Sequence, residues 1–253
     1  MRIAVIADIH GNLPALEAAL DDIAARGIAQ VLCLGDCASG MLWPRETAAL
    51  LMAREIPSVR GNHDRWVAEQ EPGTMRGQDA FAHAETTPDQ RAWLGGLPTR
   101  IIPAPGVLAC HGTPESDTAN LLEEPVHGHL RPAAPEVVRA RLGADGIAAR
   151  VVLCGHSHQA SVTQLPDGPL VVNPGSLGCP AFRVTRPPHS HRSEARSPHA
   201  RYAILHLPED GSAPSADLIA LRYDWDAASR RAESLGSPAW AYALRTGFIP
   251  DEA

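Results

Sequence analysis

The chain has 253 residues, 44% of them hydrophobic, with 22 basic against 29 acidic side chains and a formal charge of -7. That length can bury a large core in one domain spanning 1–253. No apolar run approaches the ~20 residues that span a bilayer, and the chain opens directly on a strand with no basic leader or cleavage site. A cytoplasmic protein is expected, with no membrane partner. The acidic balance argues against general nucleic-acid binding but leaves room for a local basic pocket.

Strands and helices alternate through the first two thirds, which predicts an α/β architecture. Arg2 to Ala7 reads as a strand ending at Asp8-Ile9-His10. Asn12-Leu13-Pro14 opens a helix with Leu16, Ala19, Leu20 and Ile23 at helical spacing, stopped by Gly27. Val31 to Leu34 is a second strand, delivering Gly35-Asp36, and Pro44 starts a helix to about Arg54. Pro57 to Arg60 leads into Gly61-Asn62-His63-Asp64, and Thr87-Pro88-Asp89-Gln90 is a capping-box start for a short helix. Strands near 100–103 and 107–110 bring in His111; a helix over Pro135 to Leu142 and a strand over Val151 to Cys154 precede Gly155-His156-Ser157-His158. The composition then shifts toward strands at 160–165, 170–172, 203–207 and 218–223, before a helical tail over about 226–253 that is interrupted at Gly236-Ser237-Pro238.

Each of the five motif stretches follows an apolar run and offers carboxylate, amide or imidazole groups. A strand-end Asp is often only a helix cap, Gly-Asp is a common turn, and Asn62 suits a left-handed turn. As an ordered set, however, the residues suit two divalent metals sharing one carboxylate, for which Asp36 is the natural bridge. Asp8 and His10, two apart at a strand end, are expected to face the same side. The five cysteines lack C-x-x-C spacing. Cys33, Cys110 and Cys154 read as small buried hydrophobes, with Cys110 and Cys154 as alternative thiolate ligands.

The order D-x-H, G-D, G-N-H-D, H-G, G-H-x-H resembles the calcineurin-like metallophosphoesterase superfamily over residues 1 to about 180. The resemblance implies a four-layer α/β/β/α sandwich of two mixed β-sheets flanked by helices. It also implies two divalent transition-metal ions, with manganese the first choice and iron, zinc, nickel or cobalt the alternatives. By the same resemblance, Asp8, His10, Asp36 and His158 hold one metal, and Asp36, Asn62, His111 and His156 the other. His63 is left to face a small phosphate-ester substrate, and to protonate its leaving oxygen or stabilise charge on the phosphate. Asp64 is expected to orient His63, or else to pair with Arg60 or Arg65. Asn173-Pro174-Gly175-Ser176 is expected to support the metal loops or touch substrate.

The branches reading G-D-x-x-D-R-G after the second motif are not matched, since Asp36 is followed by Cys37-Ala38-Ser39-Gly40. The chain looks more like the small bacterial and archaeal phosphodiesterase-type branch. Phosphodiester hydrolysis by metal-activated water is therefore the expectation. A phosphomonoesterase or protein phosphatase is the alternative, and a non-catalytic scaffold of the same fold is the rival of a different class. Met41, Leu42 and Trp43 form either one wall of the cleft or part of the core. The stretch 180–201 is read as an irregular basic loop, with Arg183, Arg186 and Arg192 as candidate phosphate ligands and His189-x-His191 as a possible stray metal pair.

Overall fold

The computed structural model describes residues 1–71, 73–75, 77–185 and 190–251. β1 (Arg2–Ile6) runs through the Asp8 and His10 turn into α1 (Leu13–Ala25), which carries Pro14 in its first turn; the Asn12 side chain accepts from Ala15 N. β2 (Gln30–Cys33) and α2 (Pro44–Ala53) follow as expected. Three helices come next: α3 (Asn62–Glu69), α4 (Gly77–Glu85) and α5 (Pro88–Gly96), the last with the Thr87–Gln90 capping box. Then come β3 (Arg100–Ala104), β4 (Val107–Cys110), β5 (Glu123–Val126), β6 (His129–Pro132), α6 (Pro135–Ala148), β7 (Val151–Leu153), β8 (Ser161–Gln164) and β9 (Leu170–Asn173). The chain closes with β10 (Ala181–Val184), β11 (His191–Glu194), β12 (Ala200–His206), β13 (Ser215–Leu221), α7 (Trp225–Ser234) and α8 (Pro238–Thr246). No helix among the described residues is long and apolar enough to cross a membrane.

The expected sandwich is present. One mixed sheet has the order β13-β12-β1-β2 and the other β3-β4-β7-β9-β8. Their central strands are apolar on both faces, as strands covered on both sides must be. Ile3, Val5 and Ala7 of β1 and its extension share a core with Val107 and Ala109, Val151 and Leu153, and Leu170 and Val172 of the facing sheet. The alternate residues Ala4 and Ile6 point outward to a second core with Leu16, Ala19 and Ile23 of α1, Leu51 of α2, and Ala228, Ala232 and Leu244 of the terminal helices. Leu108, Val152 and Val171 point the opposite way, onto Val138 and Leu142 of α6. Period-two alternation therefore builds all three interfaces of the four layers.

A third, four-stranded sheet of order β10-β11-β6-β5 was not expected. The stretch read as an irregular basic loop pairs as an antiparallel hairpin, Ala181 opposite Glu194 through Val184 opposite His191, and β11 joins β6 in parallel. Charged residues at alternate positions masked these strands: His191 and Ser193 are buried, while Arg192 and Glu194 lie outward.

Candidate metal centre

The motifs converge at one end of the sandwich, where the parallel strands β1, β2, β4 and β7 deliver their carboxyl ends, the usual place for a site in such sheets. Asp8, His10, Asp36, His156 and His158 all adopt left-handed backbone, with φ of 53°, 50°, 53°, 65° and 58°. Asp8 and His10 thus meet the same point because the chain turns sharply after β1, and not by strand alternation as expected. Backbone bonds hold these turns: Asp8 N donates to Gly35 O, His10 N to Asp36 O and Gly11 N to Cys37 O. Close approach also fixes the motif glycines. A Cβ on Gly61 would stand 2.2 Å from Asp36 Oδ1, and one on Gly178 would stand 1.9 Å from Ile9 O.

Asp36 sits at the middle of the cluster. Its Oδ1 accepts from His63 N at 2.9 Å. Its Oδ2 lies 3.7 Å from His10 Nε2 and 3.3 Å from His111 Nε2. On the first side, His158 Nε2 lies 3.4 Å from Asp8 Oδ1 and 3.3 Å from His10 Nε2. On the second, one arm of the Asn62 amide stands 3.1 Å from His111 Nε2 and 2.9 Å from His156 Nδ1. With nitrogen there the amide donates to both rings; with oxygen there, three lone pairs converge, as a cation requires. The outer ring nitrogens are anchored: His10 Nδ1 to Ser39 O, His111 Nδ1 to Leu34 O, His156 Nε2 to Thr118 O and His158 Nδ1 to Cys179 O. Such backbone contacts fix the ring orientation of metal-ligating histidines.

The electrostatics call for positive charge. Asp8 and Asp36 are fully buried, and Asp8 Oδ1 has no hydrogen-bond partner. Burial opposes ionisation of both, yet His158 beside Asp8 and His111 beside Asp36 hold them below the usual carboxylate range. The same pairings act in reverse. Burial would depress His111, but Asp36 pushes it up to about 10; His158 is raised by Asp8 against burial. Burial and cationic neighbours instead lower His10 to about 4 and His156 to about 3, leaving their lone pairs free. Buried carboxylates, the free lone pairs of His10 and His156, and an Asp8 oxygen met only by the long His158 contact fit divalent cations, whose positive charge would take the place of the protons on His111 and His158. Ligand atoms of Asp8, His10 and Asp36 lie within 4.8 Å of one another, as do those of Asp36, His111 and His156.

Cys110 and Cys154 stay buried and outside these groups, which fits their reading as core residues. Cys179 was missed: its ligand atom lies within 4.8 Å of those of His10 and His158. No spacing motif marks it, because it follows the Asn173–Ser176 turn rather than a strand end.

Asp64 requires a correction. It does not touch the His63 ring, and neither arginine pairs with it, since Arg60 bonds Glu69 and Arg65 bonds Asp117. Its carboxylate instead accepts from three backbone amides: Asp36 N and Cys37 N at 2.8 Å, and Gly61 N at 2.9 Å. As the third residue of α3 it caps the helix and clips the Asp36 loop to it. Burial, then Asp36, raises it to about 6 against these bonds. The short-range partner of the His63 ring is Asp79 of α4, with Nδ1 2.7 Å from Oδ1, while the Gln78 amide nitrogen stands 3.5 Å from both ring nitrogens. Burial would lower His63, but Asp36 and then Asp79 raise it.

Asn173 and Ser176 act as supports. Asn173 Nδ2 donates to Gly155 O and Ser157 Oγ, and Ser176 Oγ donates to Asp8 O. Leu42 is buried and Trp43 packs against the helical core, so neither forms a cleft wall. Arg183 and Arg192 face each other across the β10–β11 hairpin. Arg192 lines a cavity that also includes His158. Arg186 and His189 lie outside the described residues.

Comparison with known proteins agrees with this geometry. A metallophosphoesterase from Sphaerobacter thermophilus superposes with a TM-score of 0.73 at 22% identity, covering 98% of this chain and 100% of that one. A hypothetical protein from Pyrococcus horikoshii OT3 gives a TM-score of 0.73 at 19% identity, covering 98% and 99%. An uncharacterized protein of Methanocaldococcus jannaschii is 48% identical over 69 residues, a match spanning 27% of this chain and only 28% of that protein. The model of the calcineurin-like phosphoesterase superfamily domain matches residues 1–192. With the D-x-H, G-D, G-N-H-D, H-G and G-H-x-H residues gathered at one end of the sandwich, the chain belongs to the calcineurin-like phosphoesterase superfamily.

Proposed function

We propose that the chain hydrolyses phosphodiesters at a pair of divalent transition-metal ions, manganese first among them. The observation that supports this reading is the position of Asp36 Oδ2, between His10 Nε2 on one side and His111 Nε2 on the other. Asp8, His10 and His158 would hold one ion, Asn62, His111 and His156 the other, and Asp36 both. Such a pair supplies charge neutralisation of the ester and a water acidic enough to deprotonate near neutral pH.

The chain's own residues do the rest. His63 N fixes Asp36 Oδ1, so the bridging carboxylate keeps Oδ2 free for the centre. The Asp79 contact at Nδ1 sets the His63 ring and leaves Nε2 as the nitrogen that carries a transferable proton. In its protonated form His63 donates that proton to the leaving oxygen. The edge-on Trp66 ring, with centroids 4.7 Å apart, limits its rotation.

Elemental analysis of the purified protein, paired with hydrolysis of bis(4-nitrophenyl) phosphate before and after chelation, tests this reading. Two metal equivalents per chain and activity restored by manganese are expected. One equivalent at saturation would overturn the shared-carboxylate centre, and faster turnover of 4-nitrophenyl phosphate than of the diester would overturn the diester preference.

A further inference from the structure

The third sheet adds a feature that the metal centre does not use. Between it and the start of β8 and β12 lies a cavity of about 540 Å³, within the range of small-ligand sites. Arg131, Arg192, Arg196 and Arg201 line it, and His158 belongs to both the cavity wall and the metal cluster. Four separate places in the chain supply these cations: β6, β11, the turn after β11 and the start of β12. The clustering is therefore a product of the fold and not of a basic run in sequence.

The arginines are poorly neutralised by the protein. Among the described residues Glu194 is the only carboxylate in the lining, and its Oε1 accepts from Ile249 N. Arg201 Nη2 donates only to neutral groups, Ala195 O and Ser197 Oγ. Arg192 Nη1 reaches Asp251 Oδ1 at 3.5 Å, but that carboxylate is fully exposed and worth little as a partner. Arg131 and Arg196 are exposed. Unmatched guanidinium groups gathered round a cavity in an acidic protein select a multiply charged oxyanion, which they bind bidentately.

We infer that this cavity binds a second, distal phosphoryl group of the substrate, so that the preferred ester is one carrying a terminal phosphate or polyphosphate beyond the bond that is cleaved. The inference rests on the hydrolytic reading above, and deepens it by naming the substrate class. His158, which borders both the cavity and the metal cluster, is the residue that joins the two positions. Arg131 and Arg196, exposed on the cavity wall and outside the proposed ligand set, supply binding and not chemistry.

The test uses inhibition of bis(4-nitrophenyl) phosphate hydrolysis by the metal-loaded full chain at fixed free manganese, with inorganic phosphate and tripolyphosphate as inhibitors. Arg131→Ala and Arg196→Ala should each weaken inhibition by tripolyphosphate about tenfold, with inhibition by phosphate and the KM for the small diester nearly unchanged. Arg131→Lys, which keeps the charge, should recover part of the loss. Equal effects on both inhibitors, or none on either, would overturn the cavity as a distal phosphate site. Should the protein hydrolyse no diester, the functional reading fails by itself. Calorimetric titration of tripolyphosphate onto the same protein then decides the cavity: binding lost in a folded Arg131→Ala/Arg196→Ala variant upholds it, and unchanged binding overturns it.

Discussion

His63 and Asp79 meet at 2.7 Å, Nδ1 to Oδ1, across 16 residues of chain. The same Asp79 oxygen accepts from Ser39 Oγ, and Ser39 O in turn faces His10 Nδ1. One carboxylate on α4 therefore sets the orientation of the proposed acid and of the turn that anchors His10, a proposed metal ligand.

Asp79→Asn should retain both metals, because Asp79 is not in the cluster. Activity on esters with alkoxide leaving groups should fall about 10- to 100-fold, with a several-fold smaller loss on nitrophenyl esters that depart without a proton. Comparing kcat on the two substrate types checks this. An equal loss on both would assign Asp79 to holding the Ser39 turn rather than His63.

Asp64 should behave in the opposite way. Asp64→Ala strands three buried amide donors, at a cost of roughly 3 kcal/mol or more in stability. Thermal unfolding should show a lowered Tm, and elemental analysis partial metal loss, with activity reduced evenly for all leaving groups. A leaving-group-selective loss with full metal content would restore Asp64 as the partner of His63.

Glu123 gives a pH dependence with a definite sign. Burial pushes its carboxyl up to about 7 from an ordinary 4.5, against the lowering effects of Ser157 and Arg141, and its Oε2 has no partner. Below about pH 4.5 folded and unfolded chains both hold the proton; as pH rises toward 7 the unfolded chain releases it first, so stability falls by on the order of 3 kcal/mol. Glu123→Gln should remove that part of the slope. Urea midpoints of the two metal-stripped proteins from pH 4.5 to 8 measure it, and parallel curves would show that Glu123 ionises normally.

Cys179 should bias the choice of metal. A sulfur near His10 and His158 favours a softer ion than carboxylates alone do. Cys179→Ser should weaken zinc relative to manganese in competitive equilibrium dialysis. Equal weakening of both would mean that the thiol only packs.

The clustering of the motif residues was legible because most of them follow a strand with a clear apolar run, Asn62 at the start of α3 being the exception, and because the motifs occur in a fixed order. The α/β alternation was legible in the same runs, while the two-sheet sandwich came with the family resemblance; in the structure Val5 and Val107 point one way and Ile6 and Leu108 the other. Asp79 was not legible: α4 mixes polar and small apolar residues, with Ala82 its only buried one, and no local pattern ties it to a histidine on another helix. The Asp64 assignment failed for a related reason. Adjacency in sequence suggested contact with His63, but on a helix neighbouring residues point about 100° apart, and Asp64 turns back to the amides at its own N-terminus. The third sheet escaped notice because one face of its strands carries the arginines.

The left-handed turns at Asp8, His10, Asp36, His156 and His158 set folding against ligation. Aspartate and histidine tolerate that conformation better than most side chains, but glycine adopts it freely. Glycine at His10 or His156 would relax the backbone of the metal-free chain and remove a buried polar ring. The five side chains are thus a burden that folding alone does not call for, and the proposed cations would offset its electrostatic part, the buried charge and unpaired polar atoms, while the backbone keeps its left-handed turns. A protein optimised only to fold would have glycine at these corners.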